Sequence, residues 1–139
     1  MITKESIEQL LQSREIPYLI KEGHDEREDV DYIYFEVSCG EYFLAVDLAD
    51  EVTVFFSFWH GHYSYDDAEV FEVLEGILDD RYCAVNVCGK DCEPDGDHGC
   101  CSLVKSEDVS RDCFIEEYGE NSNILCRFFD KAKNVEFRI

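Results

Sequence analysis

Basic residues are scarce in this chain of 139 residues. Twelve lysines and arginines face 33 aspartates and glutamates, which gives a formal charge of −21 at pH 7. Because no Lys/Arg-rich run offsets the repulsion from phosphates, binding to nucleic acid or to an anionic membrane surface is disfavoured. The charge favours a cationic protein partner, whose encounter it would accelerate by long-range attraction. The alternative is that the acidic residues only keep the protein soluble.

Long apolar runs are lacking too. No segment approaches membrane-spanning length, and the N-terminal stretch MITKESIEQLLQ lacks the apolar region of a signal peptide. We therefore expect a cytoplasmic protein, whose eight cysteines are free thiols or metal ligands rather than disulfides. Four cysteines lie among apolar residues and are interpreted as small core residues: Cys39, Cys83, Cys113 and Cys126.

Familiar catalytic motifs are missing as well. The chain contains no GxGxxG, P-loop, GxSxG or HExxH motif. Its carboxylates are abundant, but they do not form a recognisable catalytic pair. No residue is therefore predicted to be catalytic, and a binding function is favoured over an enzymatic one.

The length and the 45% of apolar residues fit one domain with a core of its own. The pattern predicts a single α+β domain over residues 1–139, with a mostly antiparallel sheet and an N-terminal and a central helix packed on it. The first helix is predicted over Thr3–Glu15, with Thr3 as its N-cap, and the central helix over about Asp66–Asp80. Between them, the segment Glu22–Asp31 is predicted to be a mobile acidic loop, because it has too little apolar surface to order it.

Alternating apolar residues predict the strands. Three of them form an antiparallel meander over Asp31–Ser38, Glu41–Leu48 and Val52–Trp59, with a tight connection at Cys39-Gly40. The third is apolar on both faces and is predicted to be an interior strand that runs directly toward the central helix. Five later strands are predicted: Arg81–Cys88, Cys100–Lys105, Cys113–Tyr118, Asn123–Phe129 and Val135–Ile139.

The junction before the central helix is rich in aromatic and imidazole side chains. If the extended conformation persists, His60 and His62 point to the same side, a spacing that can bind a transition metal although two imidazoles do not complete a site. A histidine can also act as a general acid or base, but no nucleophile stands beside these two. The aromatic residues fit either a recognition patch or the rim of the core. The predicted partner-binding residues are these junction residues and four acids of the loop: Trp59, His60, His62, Tyr63, Tyr65, Asp25, Glu26, Glu28 and Asp29.

A second group of residues has metal-ligand chemistry. Zinc binds Cys and His in tetrahedral sets, and the candidate ligands lie within one loop: Cys88, Cys92, His98 and Cys100, with Cys101 adjacent. The spacing departs from paired CxxC knuckles, and neighbouring Cys100 and Cys101 would point to opposite faces of a strand. A disulfide formed under stress and free thiols are the alternatives. No other cofactor is expected.

The stretch TVFFSFWHGHYSYDDAEVFEVLEGILDDRYCAV, Thr53–Val85, resembles small acidic bacterial proteins of the immunity type, which belong to polymorphic toxin systems. In these, a strand ends in a Trp-His-x-His-aromatic motif and leads to a helix and another strand. The motif positions here are Trp59, His60, His62 and Tyr63, and the cysteine-rich segment Cys88–Cys101 departs from the family pattern. The stretch that carries the resemblance comprises 33 of the 139 residues.

What the resemblance implies is an inhibitor of a basic toxin or of another cationic protein. The alternative from another class is a metal-binding protein or metalloenzyme that uses the His60/His62 pair or the Cys88–Cys101 loop. A structural domain without activity of its own is the third interpretation.

Overall fold

The computed structural model describes residues 1–39, 42–95 and 99–139, without the side chains of residues 38, 39, 42 and 43. This part of the chain forms three α-helices and nine strands, and every strand pair is antiparallel. The predicted α+β class, with an N-terminal and a central helix, is therefore confirmed. The elements are α1 (Lys4–Ser13), β1 (Tyr18–Asp25), β2 (Val30–Cys39), β3 (Tyr42–Leu48), β4 (Val52–Phe56), β5 (Trp59–Tyr63), α2 (Glu69–Leu78), β6 (Tyr82–Gly89), β7 (Cys100–Lys105), α3 (Arg111–Tyr118), β8 (Ser122–Arg127) and β9 (Val135–Arg138).

The chain divides into two compact units, Met1–Glu72 and Val73–Ile139. The first contains a five-stranded sheet of order β1-β2-β3-β4-β5, and the second a four-stranded sheet of order β7-β6-β8-β9. The strands thus belong to two sheets, and the assignment of residues 1–139 to a single domain stays a prediction. Among the described residues, no helix has both the length and the apolar character needed to cross a membrane. The predicted Cys39-Gly40 connection falls outside the described residues.

Helix α1 begins at the predicted cap. The Thr3 hydroxyl accepts a hydrogen bond from the backbone N–H of Ser6 at 3.1 Å, and the Ser6 hydroxyl accepts one from the N–H of Thr3 at 2.9 Å. This reciprocal arrangement is a capping box. Ile2 and Ile7, which flank the cap, are both buried. Local sequence signals therefore suffice to start this helix, which ends at Ser13, two residues before the predicted end.

One face of the five-stranded sheet forms the core of the first unit. Strand β4 lies between β3 and β5, and its Thr53 on the opposite face is buried as well, so the predicted interior strand is confirmed over Val52–Phe56. The core-facing side chains of β2, β3 and β4 are almost completely buried: Phe35, Val37, Leu44, Val46, Leu48, Val52, Val54 and Phe56.

The chain reverses direction after β4, so the predicted continuous strand Val52–Trp59 is wrong beyond Phe56. Ser57 takes a left-handed conformation with φ of 55°, and Trp59 pairs back with Phe56. Two residues, Ser57 and Phe58, therefore make the whole turn between β4 and β5. The apolar pattern does not reveal this turn, because neither residue is the Gly or Asn that usually marks a two-residue hairpin. The predicted junction is itself the edge strand β5.

The acidic segment Glu22–Asp31 forms a hairpin, so its prediction as a mobile loop is wrong. Strand β1 extends to Asp25 and pairs with β2 along its whole length. The Asp25 carboxylate accepts hydrogen bonds from the backbone N–H groups of Arg27 at 2.9 Å and Glu28 at 3.3 Å, and Asp29 has φ of 52°. Turn chemistry and backbone pairing order this segment although it buries little apolar surface.

The second unit has a core of buried side chains from β6, α3, β8 and the residue after β8: Cys83, Val85, Phe114, Ile124, Cys126 and Phe128. Its strands β6, β7, β8 and β9 confirm four of the predicted strands. The predicted strand Cys113–Tyr118 is wrong, because this segment is helix α3. The Ser110 hydroxyl caps the helix by accepting a hydrogen bond from Cys113 N–H at 3.1 Å, and Gly119, with φ of 78°, follows its last turn.

Helix α2 begins at Glu69, three residues after the predicted start. The Asp67 carboxylate accepts a hydrogen bond from the Glu69 N–H at 2.9 Å. Within the second unit, the ring of Tyr82 occupies the space that a Cβ at Gly76 would need. The absence of a side chain at Gly76 therefore allows α2 to approach β6 closely.

The core assignment predicts a large effect for Phe56→Ala. The Phe56 side chain is 0% exposed, so its loss should lower the free energy of unfolding by about 3–5 kcal/mol. Reversible urea unfolding measures the change. Leu19→Ala is the matched control, because Leu19 is 63% exposed and its truncation should cost less than about 0.5 kcal/mol. A loss below roughly 1 kcal/mol for Phe56→Ala would contradict its burial.

Candidate functional site

Strand β5 sorts the predicted junction residues onto two faces. Trp59 and Tyr63 point to the core side of the sheet and are half-buried, and the exposed His60 and His62 point to the other side. The two aromatic rings converge over Gly61, where a Cβ would lie 2.9 Å from Cζ2 of Trp59 and 2.9 Å from the hydroxyl of Tyr63. This packing supports the interpretation of both aromatics as the rim of the core.

The predicted side-by-side placement of His60 and His62 is confirmed. Their ring centroids are 5.1 Å apart, and the rings meet edge to face at 75°. The Nδ1 atom of His62 lies 2.9 Å from a carboxylate oxygen of Glu51 and 3.1 Å from the hydroxyl of Thr53. His60 packs against Phe55 at a centroid distance of 5.8 Å. The pair is therefore an ordered part of the exposed surface.

The strand register continues this face across the whole sheet, and its central residues Ala45 and Thr53 are buried. One row of cross-strand neighbours joins Lys21, Tyr34, Asp47, Thr53 and His62, and the next joins Leu19, Glu36, Ala45, Phe55 and His60. Since alternate residues of a strand share a face, all ten lie opposite the core. We call these ten residues the polar face. Each strand's alternation is visible in the sequence, but the alignment of the rows depends on turn lengths that the sequence did not reveal.

Asp47 lies in the middle of the polar face. Burial raises the pKa of its carboxyl group. One carboxylate oxygen, Oδ1, is buried and has no hydrogen-bond partner among the described residues. A buried acceptor without a partner is costly. Burial also raises the pKa of neighbouring Tyr34, with a further contribution from the negative charge of Glu36. Asp47 therefore holds its proton to a higher pH than an exposed aspartate.

Tyr65 has a structural contact. Its hydroxyl donates a hydrogen bond to the backbone carbonyl of Ala49 at 2.6 Å, and its own carbonyl accepts one from the N–H of Ile2 at 2.8 Å. Burial raises the pKa of Tyr65, and the negative charges of Asp47 and Asp50 raise it further. Tyr65 thus joins the β3–β4 turn to the segment before α1.

The four predicted acids of the β1–β2 hairpin divide into two kinds. Asp25 closes the turn through its hydrogen bonds, and Asp29 forms an ion pair with His24 at 3.1 Å. Glu26 and Glu28 are exposed, and within the described residues no ion pair or side-chain hydrogen bond involves their carboxylates. Glu26 and Glu28 are therefore the hairpin acids whose charge is open to a partner.

The cysteine-rich segment brings two predicted metal ligands together. The thiols of Cys88 and Cys92 are neighbours, and burial together with the interaction between the two thiols raises the pKa of Cys88 to about 11. Cys101 donates a hydrogen bond to the side-chain oxygen of Asn86 at 3.3 Å, and Cys100, the preceding residue, is exposed. His98 lies outside the described residues. In the described ranges, no three or more His, Cys, Asp or Glu side chains form a group that could hold a metal ion.

The predicted core cysteines have different positions. Cys83 and Cys126 are completely buried beside each other, and the interaction between the two thiols together with burial raises the pKa of Cys126. Cys113 is exposed on α3, so its prediction as a core residue is wrong. The reason is that the segment is a helix that buries only Phe114, so Cys113 lies outside its buried face. The side chain of Cys39 lies outside the description.

The His24 contacts predict a pH dependence. Both ring nitrogens contact carboxylates, Nδ1 with Asp31 at 2.7 Å and Nε2 with Asp29 at 3.1 Å, and the bond to Asp31 is the main cause of the raised pKa of His24. A raised folded-state pKa stabilises the fold below the unfolded-state value, and this stabilisation disappears as the pH rises through the folded-state value. The difference in melting temperature between the wild type and His24→Gln should therefore shrink between pH 6 and pH 9. NMR titration giving a His24 pKa at or below about 6.5 would contradict the contacts.

The thiols make a second prediction. All seven described cysteines are free, so the denatured protein, purified under reducing conditions and alkylated without reductant, should show most of its eight cysteines reactive. In the folded protein, exposed Cys100, Cys101 and Cys113 should react first and buried Cys83 and Cys126 last. Peptide mapping by mass spectrometry identifies each site. Only a few reactive thiols in the denatured protein would contradict the expectation of a reducing compartment.

Comparison of the chain with family models, curated proteins and solved structures found no match. The resemblance to immunity-type proteins therefore rests on the Trp59–Tyr63 motif and the elements around it. In the structure this motif is strand β5, which is followed by α2 and β6. The motif forms a strand of its own instead of ending one, and the resemblance stays a prediction.

Proposed function

We propose that this chain is a small cytoplasmic binding protein whose first unit captures a cationic protein, in the manner of an immunity-type inhibitor of a basic toxin. The observation that carries the proposal is the uneven distribution of charge. Met1–Glu72 contains 18 acidic and 4 basic residues, a formal charge of −14. Val73–Ile139 contains 15 acidic and 8 basic residues, a charge of −7. Two-thirds of the net charge therefore belongs to the unit that carries the polar face.

The polar face has the composition of a contact surface for a basic partner. Leu19 and Phe55 supply apolar area, and Glu36 supplies a half-exposed carboxylate, which forms an ion pair with Lys21 of the same face at 3.2 Å. The adjacent histidines are exposed and held in place by neighbouring side chains, so little side-chain freedom is lost when they are covered. A regular sheet presents these groups on a rigid surface, which suits recognition of a folded partner.

Steering and anchoring would use different residues. Glu26 and Glu28 at the hairpin tip carry exposed charge that acts over the distance of the encounter. Phe55 and His60 on the polar face act only after contact, because their contribution comes from packing against the partner in an interface that excludes water. The hairpin acids should therefore govern the association rate, and the polar face the dissociation rate.

A metal-binding function is the second candidate, and the adjacency of His60 and His62 is the observation that favours it. Two imidazoles 5.1 Å apart supply two ligands of the kind that transition metals prefer. Elemental analysis of the purified protein separates the two candidates. A stoichiometric metal that is lost in His60→Gln would favour metal binding, since capture of a protein requires none.

Association kinetics test the proposed capture. The assay is surface-bound kinetics between the full chain and the product of the neighbouring gene. Raising the salt from about 0.05 to 0.5 M shortens the Debye length from roughly 14 to 4 Å, so association should slow strongly and dissociation should change little. The double substitution Glu26→Gln and Glu28→Gln should also slow association. Its matched control is Glu107→Gln with Glu120→Gln, the same charge change on exposed residues of the second unit.

The polar face is tested in the same assay. Phe55→Ala and His60→Ala should raise the dissociation rate by about tenfold or more, as expected for anchoring residues. Trp59→Ala should lower the stability of the fold, since the Trp59 ring packs over Gly61. No binding, or binding that is indifferent to salt and to all of these substitutions, would overturn the proposal.

A further inference from the structure

The second unit contains a groove between a sheet edge and a helix. Strand β7 is the edge strand of the four-stranded sheet, and α3 runs beside it. The open groove between them has a volume of about 590 Å³, within the range of known ligand sites. Leu103 and Lys105 of β7 line one side, and Glu116, Glu117 and Tyr118 of α3 line the other. The groove lies wholly within Val73–Ile139.

The register shows which backbone groups of β7 point outward. The N–H of Ser106 donates to the carbonyl of Arg81 at 2.8 Å, so these two residues form a hydrogen-bonded pair that continues the β6–β7 ladder. In an antiparallel ladder, hydrogen-bonded and non-hydrogen-bonded pairs alternate. The backbone N–H and C=O groups that point away from β6 therefore belong to Cys101, Leu103 and Lys105. Two of these three residues line the groove.

The helix wall of the groove is acidic. Cys113, Glu116 and Glu117 are three and four positions apart on α3, so they share one helix face, and all three are exposed. Asp108 adds a third carboxylate to the groove, and Lys105 is the one cationic side chain among the lining residues that the structure describes. The groove thus combines outward-pointing backbone groups with a negatively charged wall.

We propose that this groove binds an extended basic peptide segment of a partner protein, which adds to the sheet as a fifth strand beside β7. Backbone hydrogen bonds to Leu103 and Lys105 provide the pairing, and the glutamates of α3 select lysine or arginine at alternate positions of the peptide. The six residues of β7 span about 20 Å, so a segment of about six residues fills the edge. This inference concerns a different surface from the polar face and does not depend on it.

Peptide binding to the full chain tests the groove. The probe is a fluorescent library of acetylated octapeptides with arginine at alternate positions and valine, threonine or leucine between them. The same library with glutamate in place of arginine is the charge control. We expect the arginine library to contain peptides that bind with one-to-one stoichiometry by fluorescence anisotropy, and the glutamate library to contain none. Bound peptide should also slow the alkylation of Cys113 relative to Cys100.

Two substitutions locate the peptide on the groove. Leu103→Pro removes one outward N–H and leaves the β6–β7 ladder intact, since proline is accepted on an edge strand where its N–H faced solvent. It should weaken binding at least tenfold, and Leu103→Val, which keeps the N–H, should not. Glu116→Lys with Glu117→Lys should weaken binding of the arginine peptides by a similar factor. Circular dichroism and thermal unfolding check that each variant is folded.

N-methylated peptides test the pairing without any change to the protein. Methylation of the alternate amides that face β7 should abolish binding, and methylation of the other set should leave it. No binding peptide, or binding unaffected by both Leu103→Pro and N-methylation, would overturn the inference. Binding that only Glu26→Gln with Glu28→Gln weakens would place the peptide on the first unit and would also overturn it.

Discussion

The two-residue turn at Ser57 and Phe58 determines what the first unit shows to solvent. It fixes the register of β5 against β4, so that Trp59 and Tyr63 point to the core side and His60 and His62 to the polar face. A shift of the register by one residue would exchange the two sets. The imidazoles would then face the apolar core, and the rings of Trp59 and Tyr63 would be exposed. Because burial of ionisable groups without partners is costly, the apolar core enforces the observed register.

What the sequence predicts well is local and periodic. The start of α1 follows from Thr3 and the isoleucines that flank it, since all of these groups lie within five residues of one another. The faces of β2 and the double burial of β4 follow from the alternation of apolar residues. These features do not depend on which strands lie next to one another in the sheet. For that reason the α+β class and most strands could be predicted.

The features that were predicted wrongly depend on turns and helix caps of unusual composition. Ser57 takes a left-handed conformation without being glycine or asparagine, so an apolar run conceals a hairpin. Asp25 orders an acidic turn by accepting backbone hydrogen bonds, which a prediction from composition does not count. Helix α3 contains Phe114 as its one fully buried residue and lacks a clear apolar stripe, so alternation predicted a strand there. The polar face could not be predicted for the same reason. Its cross-strand rows depend on the register, and these turns determine the register.

The charge also bears on which partners an open sheet edge can take. An edge strand with outward-pointing backbone groups tends to pair with any other strand, including that of a second copy. Two copies of this chain carry −21 each, and the exposed acids Glu116 and Glu117 stand beside the β7 edge of both. Pairing between copies at this edge would bring like charges together, which opposes self-association. The same charges favour a basic segment, so the acidity that protects the edge from other copies also determines which strand can be added to it.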